Sequence, residues 1–275
     1  MTSRPSEASS STRAADSADS ADSAESPRSE ASAARRSEIA ANLSAVRARI
    51  ADACAASGRS AEEVTLVAVT KFRPASDVLH LIRLGQHVFG ENRDQEAAAK
   101  AAQVAAELAD TPSDPAPEWH FIGQLQTNKA KSVVSYATVV ESVDRLPLVA
   151  ALDRAAVGAG RSLRCLVQVN LDPQAVRDGG GRGGAHPQEL LRIADAVTES
   201  AALSLAGLMA VAPLGEPPEP AFERLGALAA QLRGVHPDAM SLSAGMSGDL
   251  EAAVAVGATH VRIGSALLGG RPPLR

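Results

Sequence analysis

Three groups of residues in this 275-residue chain have types and spacing that could do chemistry. The first is Lys71. It closes the run Leu66-Val67-Ala68-Val69-Thr70-Lys71, whose five apolar or β-branched residues read as a strand covered on both faces. Pro74 opens a helical pattern soon after, so the lysine stands at the C-terminal end of a strand, where α/β folds keep their reactive groups. A snorkelling lysine that merely closes a strand fits the spacing equally well. The second group is Ser243-Ala244-Gly245-Met246-Ser247-Gly248, with Ser247 placed like a helix N-cap ahead of Asp249 and Glu251. The third is Arg262-Ile263-Gly264-Ser265, which runs another strand into a small-residue turn. Loops of this kind bring backbone N–H groups close to an anion such as phosphate; either one alone reads better as a cap and a tight turn, and the two together favour a phosphate group.

The elements that must position these groups alternate regularly. Strand patterns cover residues 64–70, 87–90, 119–123, 138–142, 163–170, 203–210, 240–243 and 260–264. Helix-period stretches cover 75–84, 92–108, 128–135, 146–159, 187–199, 219–233 and 248–256. Eight βα units in about 240 residues predict one TIM (β/α)8 barrel, with a doubly wound open sheet as the alternative. In a barrel the strand ends converge on one face, and phosphate commonly binds after strands seven and eight, where the two serine loops fall.

A phosphate cradle on one side of such a mouth and a lysine on the other point to pyridoxal 5'-phosphate. A lysine amine attacks an aldehyde only when neutral, a state that desolvation at the mouth would favour. Arg262, within strand eight, could point inward and donate to the pyridine nitrogen. That would leave the ring a weak electron sink. A structural ion pair explains an arginine there equally well.

Composition narrows the classes. Aromatics are only 2% against 45% hydrophobic residues, so the core must be aliphatic. A net charge of −5 argues against a nucleic-acid partner. Cys54 and Cys165 lack metal-ligand spacing and suggest reduced thiols. No apolar run reaches the roughly 18 residues of a membrane span, and the N-terminus lacks a signal-peptide core, so a soluble cytoplasmic protein is expected. Residues 1–34 are rich in Ser, Ala, Asp and Glu and predict a disordered tail; the barrel domain is assigned to 35–275. Ile39, Leu43, Val46 and Ile50 then recur at helical spacing, predicting a helix to about Ser57. Residues 111–117 and the glycine run 179–184 read as loops. His80, His87, His186, His236 and His260 show no metal spacing, and Glu91 and Asp249 read as acidic helix-start residues rather than a carboxylate pair.

The segments 66–71, Phe89-Gly90-Glu91-Asn92, Trp119-His120-Phe121-Ile122-Gly123-Gln124 with Leu125-Gln126-Thr127-Asn128-Lys129, Gly207-Leu208-Met209, 242–249 and 261–265 together resemble the pyridoxal phosphate homeostasis protein family. That family is a single barrel similar to the N-terminal domain of alanine racemase, and the resemblance spans roughly residues 38–270. It implies that Lys71 forms the Schiff base, that Ser247, Gly264 and Ser265 hold the phosphate, and that Arg262 faces the pyridine nitrogen. It places Asn92 beside the cofactor, with His120 and Met209 near the pocket. Ala244 departs from the family's usual methionine, Ser265 from threonine, and Arg93 from an aromatic residue.

Two functions are compatible with the resemblance. One is storage or delivery of pyridoxal phosphate to apo-enzymes by a monomer without substantial catalysis. The other is an amino-acid racemase, which needs an acid/base on each face of a planar carbanion. In alanine racemase the second base is a tyrosine from an all-β domain, and this chain ends at Arg275 with none expected. Its single tyrosine, Tyr136, is predicted on the outer helix after strand three. His120 is the remaining candidate for a second base. The binder is the favoured reading.

Overall fold

Strands whose residues are almost all buried alternate with amphipathic helices, the pattern that forces a sheet to be covered on its outer face. The computed structural model describes residues 27–109, 116–172 and 183–270. The strands are β1 (Thr65–Val69), β2 (Val88–Glu91), β3 (Glu118–Phe121), β4 (Val139–Val143), β5 (Leu163–Gln168), β6 (Leu203–Met209), β7 (Ser241–Ser243) and β8 (His260–Ile263). Each pairs in parallel with the next, and β1 pairs with β8, so the sheet closes into an eight-stranded barrel as the unit count predicts. The nine α-helices among the described residues are α1 (Pro27–Ala56), α2 (Ala75–Arg83), α3 (Asp94–Leu108), α4 (Ala130–Tyr136), α5 (Leu146–Ala159), α6 (Leu190–Thr198), α7 (Pro218–Val235), α8 (Leu250–Ala255) and α9 (Ser265–Leu268).

The core lies between sheet and helices. One apolar cluster joins β3 to β7 with α4 to α8, and a second joins α1, α2, α3, α8 and α9 to β1, β2 and β8. A small third cluster, Val139, Leu166 and Met209, lies apart from both, on the barrel-interior side of β4, β5 and β6. Closure puts Ala68 of β1 level with Ile263 of β8. The ends of β1, β8 and β7 are therefore consecutive around the mouth. This corrects the expectation that the lysine and the serine loops face each other from opposite sides; they are side by side.

Helix α1 begins at Pro27, a favoured first-turn residue, rather than after the predicted tail boundary at residue 34. Its early turns are held from a distance. Arg35 bonds Asp77 at 2.7 Å and the Leu268 carbonyl at 3.1 Å, contacts that local composition does not reveal. Ile39, Leu43, Val46 and Ile50 are all buried as predicted. Further along, Asn42 donates to the Leu267 carbonyl at 3.1 Å, and Arg59 donates to those of Val254 and Ala258. Arg49 of α1 also bonds Glu251 at 2.6 Å, so α1, with Arg59 just beyond its end, ties down the two helices that follow β7 and β8. The remainder of the predicted tail, most of the glycine run and the loop at 110–115 lie outside the described residues. No described helix is long and apolar enough to cross a membrane.

Candidate functional site

A cleft of about 300 Å³ opens at the C-terminal ends of β1 and β8, lined by Val69, Lys71, Phe72, Arg73, Gly264 and Ser265 among others. Lys71 follows β1 by two residues and is exposed, so the expected desolvation of its amine is not seen. Among the described residues that amine has no hydrogen-bond or ion-pair partner. Gly264 passes so close to β1 that a Cβ there would lie 3.3 Å from both Val69 Cβ and the Val69 carbonyl oxygen, so a bare backbone suits the position. Ser265 donates its hydroxyl to that of Ser247 at 3.2 Å, which joins the β7 and β8 loops at one point.

Ser247 is not a helix cap. Gly245 takes φ 90°, the chain turns, and α8 starts at Leu250 with Asp249 as the residue before it. The Asp249 carboxylate folds back to accept the Met246 amide at 2.5 Å. The Ser247 carbonyl is held by Arg49 of α1 at 2.6 Å, which fixes the loop and leaves the hydroxyl toward Ser265.

Beneath the mouth, the barrel interior carries a continuous polar chain. Arg262, 4% exposed, donates to the Ala210 carbonyl at 2.7 Å and to the Ser243 hydroxyl at 2.6 Å. Ser243 donates to Glu141 at 2.6 Å, and the other Glu141 oxygen meets His120 Nδ1 at 2.6 Å. His120 Nε2 meets Glu118 at 2.6 Å, and Glu118 pairs with Arg164 at the rim. Burial pushes the Glu141 carboxyl up, but the His120 bond, the charges of His120 and Arg262 and the Ser243 bond outweigh it and hold it at about 2. Burial pulls the His120 imidazole down, and its bonds to two carboxylates more than reverse that, leaving it raised. Burial lowers Arg262. Glu141 was not singled out in the sequence, and Ser243 was named only as the first residue of the loop motif after β7. A glutamate inside the apolar strand Val139-Val140-Glu141-Ser142-Val143 is the signal that could have found the first of them.

The remaining candidates spread around these two regions. Asn92 follows β2 and lines a neighbouring cleft of about 520 Å³ with Arg93, Glu96, Phe121, Gln124 and Lys129. Its Oδ1 is buried without a partner among the described residues, and Gly123 leaves the space that Asn92 occupies. Met209 ends β6 and packs on Val139 and Leu166 in the interior. His120 sits in the interior chain and not in the Lys71 cleft. Glu91 is the last residue of β2, not a helix-start residue, and is bonded to Lys100 and Thr70; Asp249 is engaged separately. Tyr136 ends α4 on the outer layer, its hydroxyl buried and pushed up by that burial. Among the described residues no three His, Cys, Asp or Glu side chains could hold a metal.

This arrangement can be set beside known proteins. Residues 36–272 match the alanine racemase N-terminal domain. The pyridoxal phosphate homeostasis protein of Mycobacterium tuberculosis is 45% identical over 248 residues, covering 86% of this chain and 94% of that protein. That of Escherichia coli K12 is 38% identical over 242 residues, covering 86% and 97%. The chain belongs to the pyridoxal phosphate homeostasis protein family. The structure of PipY from Synechococcus elongatus with pyridoxal phosphate bound superposes with a TM-score of 0.69 at 34% identity, covering 84% of this chain and all of that one. Alanine racemase from Corynebacterium glutamicum, 17% identical with a TM-score of 0.57, shares the fold over 87% of this chain and 63% of its own length.

The residues fit the family's ligand by their chemistry. A free amine stands beside two hydroxyls and a glycine backbone, the donor set for an aldehyde and a phosphate ester. Arg262 lies two residues before Gly264, and of its five N–H donors only the two bonds to Ser243 and Ala210 are used among the described residues.

Proposed function

We propose that this chain binds pyridoxal 5'-phosphate through Lys71, stores it or hands it to apo-enzymes, and catalyses little on its own. The observation that carries this reading is the unpartnered Lys71 amine in one cleft with Gly264 and Ser265. When bound, the cofactor supplies an aldehyde that condenses with an amine and releases one water. Lys71 brings the amine; Ser247, Ser265 and the Gly264 backbone orient the phosphate; Arg262 offers a donor to the pyridine nitrogen. Asn92, whose buried Oδ1 is unpartnered among the described residues, would border the cofactor on the β2 side, and Met209 would supply an apolar contact beneath it. His120 acts through Glu141 and Ser243, keeping Arg262 in place.

Weak catalysis follows from the same residues. Both His120 nitrogens are committed to carboxylates, and Tyr136 is on the outer layer, so neither is placed to move a proton opposite Lys71. Loss of one general acid/base typically costs about 10²–10⁴-fold in rate. The reading extends to a cytoplasmic monomer, which size-exclusion chromatography and fractionation check.

The test is to titrate the protein with pyridoxal phosphate and follow the visible absorbance of the lysine-linked form. Wild type should develop the band and Lys71→Ala should lack it; a full band in Lys71→Ala refutes the reading. Incubation of the loaded protein with L- and D-amino acids in D₂O addresses catalysis. Turnover near one per second with inversion would replace the carrier by a racemase.

A further inference from the structure

Phe72, the residue after Lys71, is the one non-glycine among the described residues with positive φ, at 63°. A bulky residue in the left-handed region persists only where its surroundings impose it. Here the imposing group is visible. The Phe72 amide donates to Glu96 Oε1 of α3 at 2.5 Å, and the Arg93 guanidinium lies 4.7 Å from the Phe72 ring centroid. On the other side of Lys71, the Thr70 carbonyl accepts from Lys100 Nζ at 2.7 Å. Lys100 is 5% exposed and spends its three N–H donors on Thr70, Glu91 at 2.6 Å and Glu96 at 3.1 Å. One cluster from β2 and α3, centred on the buried Lys100 and Glu91, therefore grips the backbone on both sides of Lys71 and leaves its side chain bare.

We propose that Glu96, held by Lys100, is a positioning residue that sets the backbone of Lys71 for attack on the cofactor aldehyde. This rests on the binding reading above, since it gives the clamp its purpose. Glu96 itself bonds only Lys100 and the Phe72 amide, whereas the loops after β7 and β8 are fastened by Arg49 and Asn42 of α1 and by Arg73. Loosening the clamp should slow covalent capture without weakening recognition of the rest of the cofactor. Misplacement by about 1 Å of a reacting group costs up to about 100-fold in rate.

The experiment uses Glu96→Ala and Glu96→Gln in the full chain, the latter retaining an oxygen acceptor for the Phe72 amide. Two quantities are read in each: the rate of covalent capture of pyridoxal phosphate, and the affinity for 4'-deoxypyridoxine phosphate, which lacks the aldehyde. The expected result is capture slowed by up to about 100-fold in Glu96→Ala, analogue affinity unchanged, and capture largely restored in Glu96→Gln. An unchanged capture rate in Glu96→Ala, or equal losses for both ligands, overturns the proposal. Hydrogen exchange of the Phe72 amide in the unliganded protein decides independently of binding. It should quicken in Glu96→Ala, and unaltered exchange also overturns the clamp. If wild type captures no cofactor, the function proposed above fails, and the exchange result alone judges the clamp.

Discussion

In the barrel interior, Arg262, Ser243, Glu141, His120 and Glu118 are bonded end to end, and opposite charges alternate along the chain. A few residues above, at the mouth, the Lys71 amine has no partner among the described residues and the Ser247 and Ser265 hydroxyls have one another. The difference follows from solvent. Charges taken out of water must be compensated by the chain itself, whereas groups at an open cleft can wait for a ligand. The interior is therefore expected to govern stability and the mouth to govern binding.

Glu141→Gln is the strongest challenge to that division. It leaves His120 and Arg262 without their shared counter-charge and should destabilise the fold by about 3–5 kcal/mol in chemical denaturation. Loss below about 1 kcal/mol would show that the interior chain is not the keystone described. The same network sets a pH window. Glu141 is held at about 2 in the folded chain against an ordinary 4.5, so its contribution is present above pH 4.5 and is lost as pH falls toward 2. His120 is raised from 6.5, so its contribution is present below 6.5 and is lost as pH rises through its folded value. Stability from this pair should peak between pH 4.5 and 6.5, and Glu141→Gln should flatten the acid limb.

At the mouth the effects should appear in binding. Ser247→Ala should weaken pyridoxal phosphate by about 1–3 kcal/mol while leaving pyridoxal, which lacks the phosphate, nearly untouched. Equal losses for both would mean that Ser247 serves the loop and not the ligand. The smallest change is expected for stability in Lys71→Ala. With an exposed side chain and no partner, the melting free energy should stay within about 0.5 kcal/mol of wild type. A larger loss would make Lys71 structural and erase the contrast between the two regions.

How much of this was legible in the sequence depends on distance along the chain. The run ending at Lys71 and the glycine–serine turns are local, and they are found where strand and turn chemistry put them. Eight repeated units sufficed for the barrel. What could not be read was which ends become neighbours: closure brings β1 beside β8, some 195 residues later, and so sets Lys71 beside Ser265 instead of across from it. The partners of Glu141 come from β3, β7 and β8, and residues 27–34 were assigned to a tail because the helix they begin is anchored at a distance, by Arg35 to Asp77, 42 residues on. Ser247 looked like a cap because residue type alone does not reveal the positive φ at Gly245 that moves the helix start to Leu250.

The most direct test of the central claim is to load the protein with pyridoxal phosphate, reduce it with borohydride, digest it and locate the modified peptide. The cofactor should be fixed to Lys71 in wild type, and Lys71→Ala should yield no modified peptide at comparable occupancy. Attachment at another lysine, such as Lys129 in the neighbouring cleft, with Lys71 unmodified, would contradict the account.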